Sequence, residues 1–180
     1  MSAEWKKLSE RSERLGYRKV LHKTFELPDG QIKEFTIKEE RAAVCIFAMT
    51  KNHEVIIAKQ YRPGPEKVLL EMPGGGLDDN EVPLECARRE LLEETGYAGE
   101  MEYIGTTQDC AYSTLIRYNF VAKNCEKVQE QDLDDSEFID VVLLSLEEFL
   151  KLLRSGELSD VESGYMALHH LGILQYNKPK

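Results

Sequence analysis

A glycine run opening directly onto a helix crowded with carboxylates constrains this chain more than any other feature. Gly74-Gly75-Gly76 is followed by Glu81 and then by Arg89-Glu90-Leu91-Leu92-Glu93-Glu94-Thr95-Gly96-Tyr97. Pro83 near the first turn and Gly96 just past the end bound a predicted helix over 82–95, with Val82, Cys86, Leu91 and Leu92 among many charges. On that helix Glu90, Glu93 and Glu94 stand at i, i+3 and i+4 and share one face. Unpaired, the three carboxylates repel one another, and helix propensity gives no reason for the arrangement. A hard divalent cation resolves the conflict, because Mg²⁺ favours carboxylate and water oxygens and leaves positions open for substrate phosphates. The glycines let the backbone turn sharply and approach an ion, which makes the Gly74 carbonyl a candidate additional ligand. Glutamates on a helix are more often a solvated face. The whole pattern changes the odds, since its fixed residues, at roughly 10% usage each, coincide by chance about 10⁻⁵ times in a chain of this length.

The segment from Gly75 to Tyr97 matches the Nudix signature, G-x5-E-x7-R-E-U-x-E-E-x-G-U with U a bulky hydrophobic residue, at every fixed position. Tyr97 is aromatic where an aliphatic residue is commoner. The resemblance implies the Nudix fold, an α/β/α sandwich around a mixed sheet, and Mg²⁺-dependent hydrolysis of a nucleoside diphosphate linked to another group, with Mn²⁺ able to substitute. It further implies that Glu90, Glu93 and Glu94, with Gly74, form the metal-binding face. Arg89 then holds a glutamate in place, and Glu81 supports the junction of loop and helix. Glu93 and Arg89 count as catalytic on this basis.

Around that segment the chain reads as strands before and after a central helix. Residues 17–27 and 31–39 read as a hairpin about Pro28-Asp29-Gly30. Ala42 to Met49 is a continuous apolar run suited to a buried strand, and Val55 to Ala58 is its partner across the turn Lys51-Asn52-His53. Strand-like pieces recur at 101–107, 115–123 and 138–144. Ser145, followed by Leu146-Glu147-Glu148, has capping-box spacing and starts a helix through Arg154 that Gly156 closes. A third helix is expected from about Asp160 to Leu174. This order predicts an α/β fold, with a mixed sheet flanked by helices. Residues 1–40 form an N-terminal extension with the predicted hairpin, and residues 41–180 the hydrolase domain.

More of the chain, from about residue 17 to 174, resembles the ADP-ribose pyrophosphatase and nucleotide-sugar hydrolase branch of that family. Lys59-Gln60-Tyr61-Arg62 looks like the strand end that sends an arginine to substrate phosphates, and Leu69 to Gly75 like the lead into the signature. Arg62 is the candidate phosphate contact, since an acidic protein needs a cation beside an anionic substrate; Lys59 and Arg117 are weaker candidates. Asp134-Asp135-Ser136-Glu137 resembles the branch's acidic loop, one of whose residues serves as catalytic base or extra metal contact, and Asp135 and Glu137 stand as equal candidates. Tyr112 is a candidate to stack on a base, beside its plainer reading as a packed tyrosine. Two segments depart from the branch: Phe35 to Arg41 lacks its Arg-Glu and His-Pro-Gly pattern, and Asp109 to Thr114 replaces its Ser-Pro-Gly. The resemblance points to ADP-ribose or a related ADP-sugar as substrate, with AMP and a sugar phosphate as products. The alternatives are another nucleotide sugar, a dinucleotide, or a non-catalytic sensor of such ligands. The first forty residues, with Trp5, resemble the strands through which that branch forms homodimers.

Charge narrows the partners. A net charge of −10 and pI near 5.0 argue against nucleic acid and anionic membrane, both of which reward clustered Lys and Arg. No stretch approaches the roughly 20 apolar residues of a transmembrane helix, and the charged start has no signal-peptide core. Cys45, Cys86, Cys110 and Cys125 form no CxxC pair and read as free thiols in a reducing, cytoplasmic compartment. His169 and His170 are adjacent on a helix and cannot share a face, which disfavours a zinc site.

Overall fold

The computed structural model describes residues 4–174, which fall into two units. The first comprises the chain through Ala42 together with Gln108–Ile116. It holds an antiparallel sheet of β1 (Lys6–Leu15), β2 (Arg18–Glu26) and β3 (Ile32–Glu39), in that order. The expected hairpin is β2–β3: the Gln31 N–H donates to Asp29 Oδ1 at 3.0 Å, and Gly30 takes a φ of +81°. β1 was not expected, because its sequence KKLSERSERL lacks apolar alternation and every residue of it is exposed. Cross-strand charge pairing explains it. Glu10 lies opposite Lys23, Lys6 opposite Glu26, and Glu13 accepts from His22 at 2.9 Å.

The second unit comprises residues 43–107 and 117–174 of the described chain. Its elements run β4 (Ala43–Thr50), β5 (Glu54–Arg62), β6 (Lys67–Glu71), α1 (Pro83–Thr95), β7 (Tyr97–Gln108), β8 (Ile116–Lys127), β9 (Asp140–Ser145), α2 (Leu146–Ser155) and α3 (Val161–His170). The strands form one mixed sheet of order β6-β5-β4-β8-β7, with β9 pairing β5; β4 and β8 are parallel, and β5 is antiparallel to β6 and β9. This is the expected α/β class, with three helices. β6 was not foreseen as a strand, since it is short and its first two residues are exposed.

Period-two alternation in the central strands sets the layers. Cys45, Phe47, Val55, Ile57 and Val121 pack with Phe149, Leu152 and Leu153 of α2 and with Ala167 and Leu168 of α3. Their neighbours Val44, Ile46, Ala48, Ile56, Phe120 and Ala122 pack instead with Cys86, Ala87 and Leu91 of α1. The apolar run at 43–50 is therefore continuous because both faces of β4 are covered.

The helix ends follow their local chemistry. α1 starts at Pro83, which has no N–H to satisfy, and no side chain caps it; Gly96 closes it, its N–H on the Leu92 carbonyl at 2.8 Å. α2 has the predicted capping box: Ser145 Oγ accepts from the Glu148 N–H, and the Ser145 N–H donates to Glu148 Oε2 at 2.8 Å. α3 stops at His170 rather than near Leu174, where the Gly172 N–H bonds the His169 carbonyl in a turn. Among the described residues, no helix is long and apolar enough to cross a membrane.

Candidate active site

The glycine loop is threaded against β4. The Val44 N–H donates to the Gly75 carbonyl and the Ile46 N–H to the Pro73 carbonyl, each at 2.9 Å. This docks residues 73–76 along the strand that α1 also packs on. A side chain at Gly74 would strike the Val44 carbonyl, and a Cβ at Gly75 would lie 2.5 Å from the Glu90 carboxylate. Glycine at 75 thus serves close approach: it lets a helix carboxylate lie against the loop backbone.

Arg89 organises the carboxylates. Its Nε and Nη2 donate to the two oxygens of Glu81, both at 2.9 Å, a bidentate pair. Its Nη1 donates to Glu90 Oε1 and to Glu93 Oε2, again at 2.9 Å. One guanidinium therefore engages three glutamates, and holds the Glu81 carboxyl down at about 2. Arg89 Nη2 also reaches the Gly76 carbonyl at 3.3 Å, which ties the helix to the loop. Glu94 lies outside this fork. It is 4% exposed, and its Oε2 accepts from the Gly74 N–H at 2.8 Å. Burial pushes its carboxyl up to about 8, against the pull of the Gly74 N–H. Burial raises Glu90 as well.

Gly74, Gly75, Gly76, Arg89, Glu90, Glu93 and Glu94, but not Glu81, line a cleft of about 460 Å³ together with Arg62, Asp78, Asp134 and Glu137. It brings together Gly74, Glu90, Glu93, Glu94, Arg89, Arg62 and Glu137 from the candidates named in the sequence. Asp135 is not on its lining. Tyr112 belongs to the first unit, where its ring stacks 6.4 Å from Phe35. Lys59 pairs with Asp140 at 3.7 Å, and Arg117 pairs with Asp160 and Glu162.

Glu137 reaches the cleft because the acidic loop is sewn to the end of α1. The last turn of a helix leaves carbonyls without intrahelical donors. Here the Asp132 N–H donates to the Glu93 carbonyl at 2.9 Å, and the Gln131 amide donates to the Glu94 carbonyl at 2.6 Å. The same amide reaches the Ile139 carbonyl at 3.0 Å and so brackets the loop from both sides of Glu137. Sequence reasoning missed Gln131, Asp78 and Asp134. Nothing local marks Gln131, since its partners lie 37 and 8 residues away.

Among the described residues, no three His, Cys, Asp or Glu side chains already stand in a cation-holding arrangement. The reason is visible: Arg89 engages Glu90 and Glu93, and the Gly74 N–H engages Glu94. The donor set nevertheless fits a hard divalent ion. Oxygen donors dominate the cleft, and the charges of Glu90 and Glu137 raise Glu94 further, so a bound cation would relieve a repulsion the fold has built in.

The NUDIX domain family matches residues 39–163. An ADP-ribose pyrophosphatase of Bacillus subtilis (strain 168) is 33% identical over 143 residues, 78% of this chain and 77% of that protein. A methanol dehydrogenase activator of Bacillus methanolicus is 34% identical over 158 residues, covering 86% and 85%. A GDP-mannose pyrophosphatase of Yersinia enterocolitica is 31% identical over 159 residues, covering 78% and 81%. A crystal structure of an ADP compounds hydrolase superposes with a TM-score of 0.81 over 96% of this chain and 98% of that one. Their sequence identity is 21%, so the likeness concerns the fold.

Proposed function

Because this chain belongs to the Nudix family, we propose that it hydrolyses, with Mg²⁺, the diphosphate bond of a nucleoside diphosphate linked to another group. ADP-ribose or a related ADP-sugar is the first substrate to try, giving AMP and a sugar phosphate. The observation that carries this is the cleft itself: buried Glu90 and Glu94, the Arg89 fork and the Arg62 side chain converge on one space.

The residues divide the work by charge. Glu90, Glu93, Glu94 and the Gly74 carbonyl would hold the cation, which when bound neutralises the diphosphate and acidifies a water. Arg89 keeps Glu90 and Glu93 oriented, and Glu81 locks Arg89. Arg62 takes a phosphate oxygen. Glu137, which lines the cleft, is the better-placed acceptor for the proton of the attacking water, with Asp135 behind it. Water adds across the P–O–P link, one phosphate keeping the new oxygen and the other leaving. A homodimer through the N-terminal strands has the support of β1, an exposed sheet edge. A cytoplasmic location has the support of four free cysteines.

The test is turnover of ADP-ribose with Mg²⁺ beside a panel of nucleotide sugars and dinucleotides, and a Glu94→Gln control. AMP released from ADP-ribose, and lost in the control, is the expected result. Turnover of GDP-mannose instead would keep the mechanism and move the substrate, as the relatives of that name make a specific second reading. Ligand binding with no turnover across the panel would overturn the hydrolase and favour the sensor.

A further inference from the structure

We propose that Glu71 and Ser159 are positioning residues that aim Arg62 at the substrate diphosphate; this rests on the phosphate-contact role given to Arg62 above. Strand pairing alone does not bring Arg62 and Glu71 together. The register sets Glu71 opposite Ala58 and Arg62 opposite Lys67. To reach Glu71, the Arg62 side chain must fold back along the sheet, toward the segment that continues into Pro73 and Gly74. There its Nε donates to Glu71 Oε2 at 2.6 Å, and the guanidinium comes to line the acidic cleft.

The bond uses only the inner nitrogen of the fork. Among the described residues no hydrogen bond engages the two terminal nitrogens of Arg62, which remain available to two phosphate oxygens. The anchor is buried, with Glu71 8% exposed, while the Arg62 side chain is 44% exposed. Glu71 is held in turn from the far end of the chain. Ser159 Oγ lies 2.9 Å from Glu71 Oε1, and the adjacent Leu158 forms a bridge with Leu70 of β6. Asp160 Oδ2 is also 2.9 Å from the Ser159 hydroxyl, which has one proton to give. Ser159 therefore stands between two carboxylates, Glu71 paired with Arg62 and Asp160 with Arg117 at 3.4 Å, and its one proton serves either of them. Each oxygen of Glu71 thus has a donor within reach, Ser159 Oγ at one and Arg62 Nε at the other. A long arginine otherwise free to rotate is thereby set before substrate arrives.

The experiment is a double-mutant cycle on the full chain with ADP-ribose and Mg²⁺, read as kcat and KM, with melting temperatures alongside. Glu71→Gln is expected to raise KM about tenfold, with a much smaller change in kcat, and Ser159→Ala about threefold. In an Arg62→Ala background, Glu71→Gln is expected to add less than about a twofold further effect. An equal penalty in both backgrounds, or an unchanged KM in Glu71→Gln, would overturn the proposal. A second readout is independent of turnover: the ¹⁵N Nε–H signal of Arg62 should be protected in the wild-type protein and lose protection in Glu71→Gln and Ser159→Ala. An Nε–H signal indifferent to both changes overturns it as well. Failure of every diphosphate to turn over would sink the hydrolase reading alone, since the Nε–H signal still decides whether Glu71 and Ser159 hold Arg62.

Discussion

On one face of the six-stranded sheet, α1 buries Glu90, Glu94 and Thr95 beside Cys86, Ala87 and Leu91; on the other, α2 buries Phe149, Leu152 and Leu153 alone. Both helices pack on the same strands, through alternate residues. The α2 layer does what a core helix does, each large side chain there contributing about 1.5–3 kcal/mol by leaving water. The α1 layer gives part of that away. Carboxylates in a low-dielectric layer are costly unless paired, and here they are paired by one arginine and one backbone N–H. The difference separates a face that holds the fold from a face whose proposed role is to hold a cation and a phosphate chain.

The sharpest way to break this comparison is to change the two faces one residue at a time. Glu94→Gln should lower turnover on the order of 10²–10³-fold, the usual effect of removing one electrostatic element from such a site, while circular dichroism and cooperative unfolding stay intact. A variant with normal turnover would show that Glu94 carries none of the chemistry. Phe149→Ala on the opposite face should cost about 3–5 kcal/mol of stability in denaturant titrations. The fraction that stays folded should keep its kcat, and a large fall in kcat would mean that the two faces are not separable.

Titration sharpens the contrast. Glu94 holds a proton up to about 8 in the folded chain against an ordinary 4.5, so between those values the folded state binds a proton the unfolded state has released. Without divalent cation, stability should therefore fall as pH rises through that window, by a few kcal/mol at most. Mg²⁺ should offset the loss, and Glu94→Gln should flatten the slope. Melting curves with EDTA or Mg²⁺ at pH 5 and pH 8.5 decide it; an unchanged slope in Glu94→Gln would assign the pH response to another group. Glu81 works in the other direction. Held at about 2, it adds stability that is present above 4.5 and lost as pH falls toward 2. The smallest expected effect is at the capping box: Ser145→Ala should cost about 1 kcal/mol, with no effect on KM.

The sequence made some of these features legible and hid others for physical reasons. The α1 carboxylate face, the Ser145 box and the β2–β3 turn were readable because each is set by residues within a few positions of one another. β1 was missed because its stability lies in charge pairs with β2 that no apolar periodicity announces. Gln131 was missed because a polar residue in an acidic loop has no mark until its amide is seen between two carbonyls.

By itself, then, the sequence determined the family, the α/β class and which helix face carries the glutamates, since a 3.6-residue period places 90, 93 and 94 together wherever the helix lies. Tertiary structure decided what faces them. That Glu137 and not Asp135 lines the cleft depends on how the loop after β8 is tied to the end of α1. That Arg62 turns back to Glu71, and that Ser159 meets it there, depends on the β5–β6 register and on a contact spanning 88 residues. Local spacing fixes angles about a helix axis; it carries no information about which distant side chain fills the space that face looks onto.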